Sequence, residues 1–463
     1  MIFSSFPFLL LFLPLTLLGF WVLRKRADWA TTAVFLSLAS WVFYAVWDWR
    51  FLLLLWLSMG VNYALGLRVW RLRSKGWLTA ALVFNLGLLG YYKYLGFFAG
   101  MFGVGLPGQF ILPLAISFYT FQQIAWQVDL YRGRLQQPGD FRAFLLCVSF
   151  FPHLIAGPIC RPSSLIPQIE RGFAERPWAW KLGFTLFVFG LAKKVLVADS
   201  LAPGVDALYL QESLSGPQVL LAAFGYGLQL YFDFSGYADM AIGLGLVFGI
   251  RLPINFRSPY RSLSIVDFWR RWHISLSRFL RDYLYIPLGG SRHGAFRQYG
   301  NLLITMLLGG LWHGAGWQFV LWGGIHGALL CLNHGWLRLS SWRLPTPLAW
   351  PLTMLVVMLA WIPFRAVDLG HALRMFGELG HWQAPVLPGF ATLLQEVASL
   401  HLQQGLWLAV PLLLALCALL PYSLKLVLRL SPFWRGVLTA VLALLVMKAM
   451  LARPDRAFLY FNF

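Results

Sequence analysis

Apolar runs long enough to cross a lipid hydrocarbon core recur along the whole chain, from Phe3 to Met450. Such a core is about 30 Å thick and takes about 20 residues of helix. A chain with many such runs has the bilayer as the solvent for most of its fold. Every spanning backbone group must then find its hydrogen bond inside the protein. Because the runs are continuous rather than alternating, helices are required and a β-barrel is excluded. Composition agrees, with 59% of residues hydrophobic and 12% charged, against roughly 25% charged in a soluble domain. The expected fold class is an all-α, polytopic integral membrane protein. Apolar segments lie near 3–23, 30–46, 51–67, 77–98, 111–127, 143–157, 181–198, 217–232, 236–250, 301–337 as a pair, 347–363, 404–420 and 434–451. They amount to about 11–13 transmembrane or re-entrant helices.

The segment Phe3 to Leu23 has no basic residue before it and no small-residue cleavage site after it, and Arg24, Lys25 and Arg26 follow. It reads as a retained first span rather than a secretory signal. That cluster, with Arg68, Arg71, Arg73 and Lys75 after the third span, places both loops in the cytoplasm and the N-terminus outside. The net charge of +20 raises a nucleic-acid partner first. Its cations sit in short loops between spans, however, where topology and anionic lipid headgroups account for them, so membrane lipid is expected as a partner and nucleic acid is not. Cys147, Cys160, Cys331 and Cys417 form no C-x-x-C pair and read as small buried hydrophobes, with no disulfide framework and no zinc site.

Three stretches depart from plain spans. The run 301–337 would make a helix about 55 Å long at 1.5 Å per residue, so it must break, most simply at Gly314-Ala315-Gly316. The short run 143–157 ends in Ala-Gly-Pro and reads as spanning or re-entrant. The stretch 251–300 holds nine arginines against two aspartates, a net +7. Within it Ile265, Phe268, Trp269, Trp272, Leu276, Phe279, Leu280 and Tyr283 recur at helical spacing. Asp267, Arg270, Arg271, Ser275, Arg278, Arg281 and Asp282 fill the other side. An amphipathic helix over 264–285 is expected, within a membrane-face segment near 259–299.

Ionisable groups inside apolar spans are costly and mark function until a structural role explains them. His326 falls about nine residues past the glycine break, roughly 14 Å into a helix. His313 sits at the break itself, and His273 follows Trp269-Arg270-Arg271-Trp272. A neutral imidazole near pH 7 can take the proton of a hydroxyl as that hydroxyl attacks an acyl carbon. The same residues could be hydrogen-bonded packing groups, but three within one third of the chain, two of them flanked by glycines, favour chemistry. No H-E-x-x-H, G-x-S-x-G or G-x-x-x-x-G-K-[ST] motif occurs. His313 and His326 lack Cys, Asp or Glu at ligand spacing, so no metal is expected. Asp233 and Asp239 lie in a second polar cluster, where Ser235-Gly236 marks a candidate break. They either line a polar cavity or pair with buried arginines, with pairing preferred. His153 lies in Phe151-Pro152-His153-Leu154-Ile155-Ala156-Gly157-Pro158, where proline and glycine interrupt an apolar run.

The runs Phe151–Pro158, Gln229-Leu230-Tyr231-Phe232-Asp233-Phe234-Ser235-Gly236-Tyr237, Phe268-Trp269-Arg270-Arg271-Trp272-His273-Ile274-Ser275-Leu276-Ser277, Leu308-Gly309-Gly310-Leu311-Trp312-His313-Gly314-Ala315 and Phe458-Leu459-Tyr460-Phe461 closely resemble the membrane-bound O-acyltransferase family, and within it the polysaccharide O-acetylating branch. The match is weakest over 365–435. The resemblance implies one membrane domain over 1–463, built as a ring of tilted helices around a central funnel or tunnel. It places the essential histidine at His326 with His313 as companion. His273, Arg270, Arg271, Trp272, Trp312, His153 and Asp233 become candidates for the donor region or the tunnel lining.

The same resemblance implies a bacterial inner-membrane acyltransferase with no bound cofactor. Its acyl donor substrate would be acetyl-CoA or an equivalent cytoplasmic thioester, and its product the O-acetylation of an exported polysaccharide such as alginate. A growing polymer cannot enter a narrow intramembrane site, so periplasmic acetyl carrier or transferase proteins are expected as partners. The alternatives are another glycan such as cellulose, D-alanyl transfer, or, from a different class, a proton-coupled transporter. No two-half repeat is visible to favour the transporter.

Overall fold

The computed structural model describes residues 1–105, 111–173, 179–385, 387, 389–400, 402–453 and 456–459. Tyr460 and Phe461 of the closing motif lie outside the described residues. Helices dominate, and no strand occurs among the described residues. The chain divides into two compact units, Met1–Val188 with Ala238–Ile254, and Phe189–Tyr237 with Asn255–Phe463.

In the first unit, the helix over Phe8–Arg26, the helix Trp29–Ala45 and the helix Trp49–Leu72 pack in sequence. Asp28 and Asp48 cap the second and third by accepting from the N–H groups of Thr31 and Arg50, which satisfies donors that a helix start otherwise leaves open. Phe3, Phe8, Phe12, Phe43 and Phe151 interlock beside the first two helices, Phe12 and Phe151 at 5.2 Å and 90°. The segment expected near 111–127 forms the helix Ile116–Tyr131, buried at every residue from Ile116 to Leu130. It therefore presents no lipid-facing stripe. Its polar side chains find partners inside instead: Gln127 Nε2 donates to the Asn62 carbonyl at 2.8 Å, and Asn62 and Asn85 exchange amide hydrogen bonds. The run near 143–157 breaks at Phe150 into Phe141–Ser149 and Phe151–Leu154. Nine residues of helix reach about 14 Å, so this piece is too short to cross a bilayer.

Among the described residues, four helices meet the length and apolarity needed to cross: Phe8–Arg26, Trp49–Leu72, Thr346–Arg365 and Pro432–Ala452. Leu406–Leu419 with Ser423–Arg429 makes a fifth if that pair, bent by 64°, is one span. The other apolar segments form helices that are shorter, interrupted or more polar.

The second unit is built around the pair Gly294–His313 and Trp317–Leu339. The 37-residue run breaks at Gly314–Gly316 as its length requires, and the two arms pack on each other. Their crossing depends on glycine: a Cβ on Gly310 would strike the Phe319 carbonyl, and one on Gly323 the Met306 carbonyl. The amphipathic segment differs from expectation. It is two short helices, Ile265–Arg271 and Ile274–Leu280, followed by a π-helical turn Arg281–Tyr285. His273 interrupts it with φ +40°, a left-handed conformation rarely adopted outside glycine. Asn255 holds the interruption, its side-chain oxygen accepting from the Ser275 N–H at 3.1 Å and the Ser275 hydroxyl at 2.8 Å. Ser235-Gly236, by contrast, breaks nothing: Gly216–Val247 is one helix of 32 residues. Gly236 there serves close packing, since a Cβ on it would lie 2.7 Å from the Gly190 carbonyl.

Candidate active site

His326 lies on the Trp317–Leu339 helix and is fully buried. Its imidazole is walled by aromatic rings: Trp322 at 4.8 Å and Trp269 at 5.2 Å between centroids, with Phe268 and Trp361 each at 6.2 Å. Neither ring nitrogen has a hydrogen-bond partner among the described residues. A buried polar group left without a partner costs about 1–3 kcal/mol, so such groups ask for an explanation in function. The indole N–H groups of Trp269 and Trp322 are buried without a partner as well. One acceptor-capable base and two donors thus lie within ring contact of one another, with no hydrogen-bond partner among the described residues.

His313 ends the facing arm, its ring 5.1 Å from Trp322 and 5.1 Å from Phe364. The two histidines therefore sit against the same indole. Trp312 is buried beside His313 at 4.8 Å. His273 meets Trp312 at 6.4 Å and Phe234 at 4.8 Å, and its Nδ1 lies 3.3 Å from the Asn255 side-chain oxygen. Trp272 is core, packed on Phe256 at 5.0 Å and on Trp361 at 4.9 Å.

A cavity of about 470 Å³ opens on one flank of this cluster. Trp269 lines it and separates it from His326, while Arg257, Arg270, Arg278 and Arg281 bring positive charge to its wall. Arg271 is absent from that wall and pairs with Asp267 at 2.8 Å. A helix shows one face to a cavity, and Arg271 turns to the other.

A second cavity, of about 480 Å³, includes Phe319 and Phe364, and Phe364 is the ring that meets His313. Asp233 lies on its wall, where it pairs with Lys194 at 3.0 Å. The pairing expected for Asp233 is thus present, with a lysine rather than an arginine as partner. His153 belongs to the first unit, where its Nδ1 faces the Gln122 amide at 3.1 Å.

The comparisons with known proteins speak to the same residues. Residues 134–362 match the model of MBOAT, the membrane-bound O-acyltransferase family. A peptidoglycan O-acetyltransferase of Helicobacter pylori is 41% identical over 81% of this chain and 79% of its own length. A probable alginate O-acetylase, AlgI, of Azotobacter vinelandii is 43% identical over 82% and 79%. The chain belongs to the membrane-bound O-acyltransferase family. As a membrane-bound O-acyltransferase it is an enzyme that transfers acyl groups. A teichoic acid D-alanyltransferase of Bacillus subtilis is more distant, 29% identical over 51% of this chain and 65% of its own length. In this O-acyltransferase the matched region holds His313, His326, the arginine-lined wall and Trp361.

Sequence reasoning singled out the histidines and missed what surrounds them. Trp322, Trp361 and Phe364 were not distinguished, because aromatic residues make up 17% of the chain and none stands out. Lys194, one of two adjacent lysines within the apolar segment 181–198, was not distinguished either.

Proposed function

We propose that this membrane-bound O-acyltransferase moves an acetyl group from a cytoplasmic thioester, acetyl-CoA or an equivalent, to a hydroxyl reached from the outer side of the bacterial inner membrane, and so serves the O-acetylation of an exported polysaccharide such as alginate. The observation that carries this reading is His326, a buried imidazole with neither nitrogen partnered among the described residues and one aromatic ring away from an arginine-lined cavity. His326 takes the proton from the acceptor hydroxyl, the oxygen attacks the thioester carbonyl, and the carbon–sulfur bond breaks. The leaving thiolate recovers the proton from the imidazolium. The Trp269 and Trp322 N–H groups are the donors available to the oxyanion of the tetrahedral intermediate. Arginines of the first cavity hold donor phosphates by charge-assisted hydrogen bonds, and His313 assists from the far side of Trp322. The acceptor belongs to periplasmic carrier or transferase proteins that pass the group to the polymer.

The activities by which the O-acetylating relatives are named, at just over 40% identity, support acetyl over D-alanyl as the acyl group. The test is transfer from an acetyl thioester by purified protein in detergent, where no proton gradient exists. Acyl transfer there supports the enzyme. Its absence, together with gradient-driven uptake in vesicles, would support the transporter instead.

A further inference from the structure

Lys194 is an expensive residue. Its side chain is 2% exposed, that of Asp233 also 2%, and Asp199 completes a triad at 2.6 Å from the lysine nitrogen. Removing ions from water costs several kcal/mol each, and apolar residues of similar size often serve stability as well. The triad therefore calls for a use beyond holding helices together.

Its contacts supply one. Lys194 Nζ donates to the Ala457 carbonyl at 3.4 Å and stands 5.0 Å above the Phe458 ring. Asp233 Oδ2 accepts the Leu459 N–H at 2.9 Å. Two carboxylates share one ammonium, with Arg453 in electrostatic reach of Asp199, and the Leu459 amide gives Asp233 a further donor. Tyr237 closes on Phe458 edge-to-face at 4.6 Å, and Arg456 pairs with Asp206 at 3.2 Å. Residues 456, 457 and 459 are in turn part of the wall of the second cavity, the one that meets His313 through Phe364. Tyr226 and Gln229 also line that cavity, and each keeps a buried oxygen with no partner among the described residues. These oxygens are suited to receive a ligand hydroxyl.

We infer that the Lys194–Asp199–Asp233 triad is a positioning device that seats residues 456–459 as one wall of an acceptor cavity, where Tyr226 and Gln229 receive the hydroxyl-bearing group that takes the acyl chain. The inference rests on the acyl-transfer reading for its function, but not for its geometry. All three triad residues also line that cavity, but the role assigned to them is positioning. They act through the segment they hold.

The test separates the two. With Cys331 and Cys417 replaced by serine, Leu459→Cys keeps the amide that Asp233 accepts and offers a thiol to a maleimide. Adding Lys194→Met should raise its labelling rate about tenfold or more, the factor set by losing one charge-assisted contact. This arm needs no activity and stands even if the wild-type protein transfers no acyl group, an outcome that would defeat only the function. In the activity arm, Lys194→Met and Leu459→Pro, which removes the donated N–H together with the leucine side chain on the cavity wall, should each raise the acceptor KM about tenfold while the donor KM holds. Asp233→Asn, which keeps an oxygen for the Leu459 amide, should recover part of the loss. Unchanged labelling, or donor and acceptor KM rising together, would overturn the inference. If Lys194→Met does not accumulate in the membrane, Leu459→Pro decides by the same two constants.

Discussion

Replacing His326 separates chemistry from packing. General-base assistance contributes about 10²- to 10⁴-fold in rate, or about 3 to 5 kcal/mol of barrier at 1.36 kcal/mol per factor of ten. The fold should lose far less. The imidazole is buried with neither nitrogen partnered among the described residues, so an apolar group of similar size relieves a desolvation cost of about 1–3 kcal/mol while keeping contact with Trp322, Trp269 and Phe268. His326→Leu should therefore accumulate at least as well as wild type and resist heat as well, yet be inactive. His326→Gln keeps a polar amide that is not a base near pH 7, and should fall in rate at least about 100-fold. His326→Ala opens a void against four aromatic rings and should lose stability as well as activity, as large-to-small core changes do. The assay is acyl transfer from a thioester by purified protein, with membrane abundance and thermal stability of each variant measured alongside. Near-normal transfer by a stable His326→Gln protein would remove His326 from the mechanism.

Other outcomes follow from the surrounding geometry. Arg270→Gln and Arg278→Gln should each raise the donor KM about tenfold, the lower end for charge-assisted contacts because both side chains are exposed. Arg271→Gln should change it little, and equal effects at all three would refute a donor role for the cavity wall. Trp322→Phe keeps a ring but removes an N–H, so kcat should drop about 100-fold with donor KM nearly unchanged if that group meets the oxyanion; an unchanged kcat would exclude it. A reporter active only in the cytoplasm, fused near residue 26 or 74, should be active at both sites, and activity of a periplasmic reporter at both would reverse the orientation.

Much of this was legible because two physical rules act locally. Bilayer thickness fixes how long an apolar helix can run, so the break at Gly314–Gly316 and the placement of His313 and His326 on two arms of one hairpin follow from length and glycine alone. The same glycine logic failed at Ser235-Gly236. Glycine marks either a break or a close approach, and only the neighbouring Gly190 backbone decides which. The 264–285 segment carried a faithful helical period, yet Asn255, twenty residues before Ser275, captures it and breaks the helix at His273. Periodicity does not register a capping partner from a preceding loop. Nor does it show which of several clustered arginines a fold turns toward a cavity, so Arg270 and Arg271 looked alike. Asp233 was readable as a member of an ion pair, but a pair made across helices does not name its partner.

The indole shared by His313 and His326 bears on electrical balance. In the proposed reaction an acyl group would go outward and one proton would return inward to the thiol, a neutral exchange that the membrane potential would neither help nor oppose. A second proton path between the two imidazoles would spoil that balance, dissipating about 2.3 kcal/mol per charge for each 100 mV. Trp322 offers only an N–H donor and no acceptor, and Phe364 offers neither. A proton held by one histidine cannot hop through these rings to the other. In that reading the aromatic stack insulates the two imidazoles from each other, so the proposed base would not become a leak.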